Sequence, residues 1–141
     1  MPLLEQVLGQ YPKDVKIVYK SFPLKSHKFA MQAAKAAIAA ESQGKFWEFN
    51  DLLFKDYNKL NDQKIAEIAA TLGMDQKALE KKMEDPGIAR KISQDINEGI
   101  ASGVSGTPTI FINGRLLRDR SMSGFRALIE KELKKKAGEK E

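Results

Sequence analysis

The 141 residues of this chain include no cysteine and a single histidine, His27. Without cysteine, these residues can form no disulfide, no thiolate metal site and no thiol nucleophile. One histidine also excludes a His-rich metal cluster and a catalytic pair of histidines. Because His27 follows Ser26 at the start of a predicted helix, we interpret it as a structural or capping residue rather than an acid or base.

Long apolar runs are missing as well. No stretch approaches the roughly 18 residues that a membrane span requires, and the first residues lack the basic-then-apolar pattern of a signal peptide. The composition is 42% hydrophobic and 30% charged, which suits one globular domain with a core of its own. We therefore expect a single domain over residues 1–141 with no membrane span and no signal peptide.

The charge balance is basic, with 24 Lys and Arg against 19 Asp and Glu and a formal net charge of +5. A basic protein is a candidate for binding nucleic acid or anionic surfaces. Here the lysines alternate with acidic residues along helical stretches such as 80–85 and 130–136, without aromatic residues for base stacking. This pattern favours solvated helix faces and predicts no nucleic-acid partner.

Metal and cofactor signals are equally weak. Asp51, Asp56 and Asp62 do not have the spacing of a metal site, and the stretch 99–106 lacks the lysine and the spacing of a phosphate-binding loop. We expect no metal and no cofactor.

Hydrophobic periodicity predicts a chain made mostly of helices. The aromatic-rich segment Lys45–Phe54 carries more apolar bulk than a surface helix needs, so we expect it, with Trp47, in the core rather than in a peptide groove. The predicted elements are a helix around Leu3–Leu8, a strand at Val15–Lys20, helices at Phe29–Gln43 and Lys45–Phe54, helices beginning at Asn61, Asp75 and Asp85, a hairpin at 109–117, and a last helix around Phe125–Leu133.

The segment from Gly103 to Gly114 combines three short features. Small residues at 103–107 suit a loop, and Pro108 stands at the start of a predicted strand over Thr109–Ile112. The Asn113-Gly114 pair then meets the positive φ angles of a type I′ hairpin turn.

Short motifs occur in a fixed order over nearly the whole chain. They are Phe22-Pro23-Leu24, His27, Ala33-Ala34, Ala36-Ala37, Gln43-Gly44-Lys45-Phe46-Trp47-Glu48, Asp51-Leu52-Leu53-Phe54, Val104-Ser105-Gly106-Thr107-Pro108-Thr109 and Phe111-Ile112-Asn113-Gly114. Together they resemble the DsbA-like thiol:disulfide oxidoreductases of bacteria. The resemblance implies an α/β, thioredoxin-like fold with an inserted helical subdomain at about residues 26–103.

The resemblance also implies what is absent. Members of that family exchange disulfides through a low-pKa thiolate in a Cys-x-x-Cys pair, placed after the first core strand at the start of a helix. Met1 resembles a residue inside that helix. We therefore expect the chain to be truncated at its N-terminus, without the first core strand and the Cys-x-x-Cys, to have no catalytic residue, and to be redox-inactive.

Four residues resemble the family's substrate-binding segment. Pro108 matches the cis-proline, Thr107 would offer backbone hydrogen bonds to a bound peptide, and Ser105 and Gly106 would let that peptide approach. The alternative is a tight start to an edge strand with no binding role. The resemblance implies protein or peptide thiols as partners and a periplasmic or other extracytoplasmic location.

Two functions stay open at this point. One is membership in the disulfide oxidoreductase family, and the other is a non-catalytic thioredoxin-fold module that binds peptides or serves in assembly. In thioredoxin-like sheets the first core strand lies between the strands matching Val15–Lys20 and Thr109–Ile112, so its loss would leave both without a neighbour. We therefore expect a homo-oligomer formed through these strands.

Overall fold

The computed structural model describes residues 2–24 and 28–139. By contact, the chain divides into two compact units: a terminal unit, Met1–Tyr19 with Thr107–Glu141, and a helical unit, Lys20–Gly106. The elements in chain order are α1 (Pro2–Gln10), α2 (Ala30–Ala40), α3 (Phe46–Lys55), α4 (Asp62–Thr71), α5 (Gln76–Met83), α6 (Pro86–Ala101), β1 (Phe111–Ile112), β2 (Arg115–Leu116) and α7 (Met122–Glu139), with short 3-10 turns at Glu41–Gln43 and Tyr57–Lys59.

The helical unit spans the residues, about 26–103, for which the sequence predicts a helical insertion. Helix α2 packs against α3, α5 and α6, and its alanines permit this close approach because they add little bulk at the contact surfaces. The buried core residues are Ala33, Ala36, Ala37, Ala39, Ala40, Phe49, Leu53, Ile65, Ile68, Ala69, Met74, Leu79, Ile88 and Ile92.

Three helices of this unit begin at the capping residues that the sequence indicates. The side chain of Asn61 accepts a hydrogen bond from the backbone N–H of Lys64 at 2.7 Å, and that of Asp75 accepts one from Ala78 at 3.1 Å. Asp85 does the same for Gly87 at 2.8 Å. Such caps satisfy N–H groups that the first turn leaves without an intrahelical acceptor, so these three predictions are confirmed.

The prediction for the aromatic segment Lys45–Phe54 is right for one face and wrong for the other. Phe49 and Leu53 are buried, whereas Trp47 is 45% exposed and Phe54 is 43% exposed. Because a helix turns once every 3.6 residues, a dense apolar run on α3 cannot present all its side chains to one core. Phe46 is half-buried and its ring meets that of Trp47 edge-on, with centroids 5.1 Å apart.

A buried carboxylate fixes the beginning of the helical unit. Asp95 of α6 is 3% exposed, and it accepts a hydrogen bond from the backbone N–H of Ser21 at 3.0 Å. Lys91, one turn earlier on α6, reaches the same carboxylate at 2.6 Å. This hydrogen bond from the ammonium group raises the pKa of Lys91 above its usual value.

The terminal unit is built on a hairpin and two helices. In β1 and β2, Phe111 pairs with Leu116 and Ile112 pairs with Arg115. Asn113 and Gly114 have φ angles of 50° and 79°, as the predicted Asn-Gly turn requires. The buried residues of this unit are Val7, Leu117, Phe125 and Ile129.

The prediction of a strand at Val15–Lys20 is wrong for the described chain. Val15, Ile17 and Tyr19 are half-buried while the residues between them are exposed, so the alternation is present, but the segment forms no strand. A strand needs a neighbour for its backbone hydrogen bonds as well as alternating side chains. Within the described residues the sheet consists of β1 and β2 alone.

Ser26 and His27 lie outside the described residues, so the structure does not bear on their predicted capping role.

The described helices include none with the length and apolar character needed to cross a membrane.

We expect Asp95→Ala to lower the free energy of unfolding by about 1–3 kcal/mol, because it leaves the buried N–H of Ser21 without an acceptor. Glu98→Ala on the same helix is the matched control: Glu98 is 63% exposed and loses only a surface pair with Lys20, worth about 1 kcal/mol or less. Urea unfolding measures both. Equal, small losses for the two variants would contradict this role of Asp95.

Candidate functional site

The predicted substrate-binding residues follow α6 after a short turn at residues 102–104. Ser105 is exposed and Gly106 half-buried at the end of the helical unit, and Thr107 and Pro108 are exposed where the chain enters the terminal unit. The peptide bond between Thr107 and Pro108 is cis. These four consecutive residues form one loop that leads into the hairpin.

The beginning of this loop is anchored on the last turns of α6. The backbone N–H of Val104 donates to the carbonyl oxygen of Gly99 at 2.8 Å. A Cβ atom at Gly99 would lie only 2.8 Å from the ring of Phe22, so a side chain at this position would crowd that ring. Gly99 therefore permits the close packing of Phe22, and its carbonyl oxygen accepts the hydrogen bond that holds Val104.

The end of the loop is held by an arginine that the sequence analysis did not single out. Arg120 Nη1 donates a hydrogen bond to the carbonyl oxygen of Pro108 at 2.9 Å. The two residues are twelve positions apart, and the hairpin between them brings them together. Leu117 extends the pairing of that hairpin, because its N–H donates to the carbonyl oxygen of Ile110 at 2.8 Å.

Arg120 stands at a tight connection between β2 and α7. The carboxylate of Asp119 accepts a hydrogen bond from the backbone N–H of Ser121 at 3.0 Å. Hydrogen bonds from the Ser121 hydroxyl and N–H hold the pKa of Asp119 below its usual value. A Cβ atom at Gly124 would collide with the backbone of Asp119, so the connection needs glycine there.

A groove of about 500 Å³ lies beside this connection, with Asp119, Gly124 and Leu128 among its lining residues. None of its lining residues belongs to Ser105–Pro108. Within the described residues, which do not include His27, no group of three or more acidic side chains is placed to hold a metal ion.

The sequence indicates the loop but not two of the side chains that hold its surroundings in place. Asp95 and Arg120 act through partners 74 and 12 positions away, and no local pattern announces such pairs. One signal was available for Arg120. Four of the chain's five arginines, at positions 115, 118, 120 and 126, fall within the hairpin and the start of α7.

Comparison with solved structures finds the same fold. A thioredoxin-like oxidoreductase from Silicibacter pomeroyi DSS-3 superposes with a TM-score of 0.80 and 27% identity, over 94% of this chain and 78% of that one. A thiol-disulfide exchange protein, alpha-DsbA2 from Wolbachia pipientis, gives a TM-score of 0.82 at 19% identity, over 92% of this chain and 71% of that one. The second likeness, at this low identity, speaks to the fold alone.

Curated sequences that match are sodium/proton antiporters. The chain is 37% identical over 115 residues to the Na(+)/H(+) antiporter NhaA 3 of Salinispora tropica, and 30% identical over 114 residues to the antiporter NhaA of Herminiimonas arsenicoxydans. Each match covers 81% of this chain but 18% of the antiporter. The chain thus spans less than a fifth of the length of these relatives.

A family model described as thioredoxin matches residues 3–131, which is nearly the whole chain. The chain therefore belongs to the thioredoxin family, with the thioredoxin-like fold of oxidoreductases that include DsbA homologues.

Proposed function

We propose that this chain is the peptide-contacting part of a DsbA-like protein thiol:disulfide oxidoreductase, and that by itself it performs no thiol chemistry. The observation that carries the proposal is an exposed Thr107–Pro108 segment, at the start of the hairpin, in a thioredoxin-family chain that has no cysteine. The proposed substrate-binding residues are Ser105, Gly106, Thr107 and Pro108.

The loop suits an extended peptide for reasons of access. Ser105, Thr107 and Pro108 are exposed, and a Cβ atom at Gly106 would meet no other atom within 4 Å. Extended peptides bind proteins chiefly through main-chain hydrogen bonds, which need an approachable backbone. The exposed residues Ser105 and Thr107 offer such a backbone, while Val104 is bonded to Gly99 and Pro108 to Arg120.

The partners that we propose follow from the family resemblance. They are protein or peptide thiols, presented as extended segments, and the proposed location is periplasmic or otherwise extracytoplasmic. The thiolate for exchange would have to come from residues other than these 141.

Self-association is a further part of this proposal. The segment 15–20 alternates in burial like a strand, yet it forms none in the described chain, and its Val18 side chain is 64% exposed. Strand-like segments of this kind pair readily with a second chain. We expect a dimer or larger oligomer by light scattering at micromolar concentration, whereas a clean monomer would contradict self-association.

We keep a second candidate function open beside the first. In that reading the chain is a non-catalytic thioredoxin-fold module, which holds peptides or serves in the assembly of a larger membrane transport protein. The coding sequence around this chain distinguishes the two candidates. A Cys-x-x-Cys codon pattern shortly upstream supports the oxidoreductase, and a long apolar region in the same reading frame, without that pattern, supports the module.

For this chain alone, we expect no catalysis of insulin reduction by dithiothreitol, because it carries no thiol that could form a mixed disulfide. The turbidity assay compares dithiothreitol alone with dithiothreitol plus the chain. A reproducible increase in rate above the reagent alone would contradict redox inactivity.

Peptide binding at the loop can be tested with Gly106→Leu. The new side chain would project into open space that we assign to the peptide, so we expect affinity for a fluorescein-labelled, cysteine-free extended peptide to fall by about tenfold or more. Fluorescence polarisation gives the affinity, and the thermal midpoint reports folding.

Gly138→Leu is the matched control for that variant. Gly138 also has no neighbour within 4 Å of a Cβ position, and it lies near the far end of α7. We expect it to bind the peptide like the parent chain. Equal affinities of the Gly106→Leu variant and the parent would remove the loop as the peptide site.

A further inference from the structure

Positive charge is concentrated in the part of the chain that follows the proposed peptide site. From residue 107 to residue 126 the chain carries four arginines, at positions 115, 118, 120 and 126, and one acidic residue, Asp119. The local balance is therefore +4 − 1 = +3. Elsewhere the chain has one arginine, Arg90, and uses lysine for its other cations.

Two of these four arginines are already engaged within the terminal unit. Arg115 Nε lies 3.0 Å from Glu132 Oε1, and Arg126 Nη2 donates to Gln10 Oε1 at 3.3 Å. These contacts tie the hairpin and α1 to α7. Arg115 and Arg126 are therefore accounted for as structural residues.

Arg118 and Arg120 differ from that pair. Both are exposed, and in the part of the chain that the structure describes no carboxylate forms an ion pair with either. Their neighbour Asp119 uses its carboxylate to bind the N–H of Ser121. Among the described residues, the charge of these two arginines is therefore not neutralised by an ion pair.

The position of Arg120 is fixed at the peptide site. Its Nη1 atom donates to the carbonyl oxygen of Pro108 at 2.9 Å. A guanidinium group carries five N–H donors in a planar fork, and the bond to Pro108 uses one of them. Such a fork matches the two oxygens of a carboxylate better than an ammonium group does.

We propose that Arg120, together with Arg118, selects peptides that carry a glutamate or aspartate beside the segment bound along Thr107–Pro108. This inference rests on the proposed function of the loop and adds the chemical class of its partner: an extended, acidic stretch of protein. Arg120 contacts the loop directly, and Arg118 strengthens the positive field next to it.

The test uses three fluorescein-labelled, cysteine-free peptides that differ only at the residues flanking their centre, which are glutamate, glutamine or lysine. At low salt we expect the glutamate peptide to bind about three- to tenfold more tightly than the glutamine peptide, as two exposed ion pairs allow. The lysine peptide should bind more weakly than both. Raising the salt concentration should reduce the differences, because ions screen exposed charges.

The variants Arg118→Ala and Arg120→Ala, separately and together, should bring the affinity of the glutamate peptide towards that of the glutamine peptide. Arg120→Lys should keep part of the preference, since it keeps the charge but loses the planar fork. Arg90→Ala is the control: it removes the same charge from an exposed position on α6, and we expect it to keep the full preference.

Each alternative result has a distinct meaning. Equal binding of the glutamate and glutamine peptides would overturn the proposed selectivity for acidic peptides without contradicting the proposed peptide site. If Arg90→Ala reduced the preference for the glutamate peptide as much as Arg120→Ala does, the preference would come from net charge, and the role of Arg120 would be overturned. If a random DNA duplex displaced the labelled glutamate peptide as effectively as the unlabelled glutamate peptide does, the arginines would be assigned to nucleic-acid binding instead. Absence of binding by all three peptides would overturn the proposed function itself.

Discussion

The Asp95 carboxylate, buried on α6, accepts a hydrogen bond from the backbone N–H of Ser21 and pairs with Lys91, and the attachment of the start of the helical unit to α6 depends on that contact. One turn further along α6, Gly99 makes room for the ring of Phe22, and its carbonyl oxygen receives the N–H of Val104. Both ends of the helical unit are therefore fixed on the last turns of a single helix. The loop that begins at Ser105 starts from a defined point because of this arrangement.

From that point onward the geometry of the site depends on backbone contacts and not on thiol chemistry. The Asn-Gly turn sets the register of the hairpin, and the hairpin carries Arg120 back to the carbonyl oxygen of Pro108. The bonds of Asp119 to Ser121, with the close approach at Gly124, hold the start of α7 beside it. None of these interactions involves a cysteine, so a thioredoxin-family chain without cysteine can hold the loop at Ser105–Pro108 in place.

Much of the fold could be predicted from local sequence because its causes are local. Helix periodicity, the caps at Asn61, Asp75 and Asp85, and the Asn-Gly turn are each decided within a few residues. The failures share one physical reason. Both failures depend on contacts with distant parts of the chain. Val15–Lys20 has the side-chain alternation of a strand, but a strand forms only beside a neighbouring strand. The exposure of Trp47 depends on which face of α3 the other helices cover.

The candidate site shows the same division. The residues Ser105, Gly106, Thr107 and Pro108 were recognisable as a motif, and the structure places them in one exposed or half-exposed loop. The contact of Arg120 with Pro108 was not predictable, because it requires the hairpin to fold first. Only the concentration of arginines at 115–126 pointed to that region in advance.

We propose that this chain holds an extended peptide along Ser105–Pro108. Hydrogen–deuterium exchange, measured with and without a saturating cysteine-free acidic peptide, reports the backbone groups that such a peptide covers. We expect slowed exchange at the amides of Ser105, Gly106 and Thr107 and little change along the exposed face of α3 around Trp47. Slowed exchange confined to α3, with the loop unchanged, would contradict it.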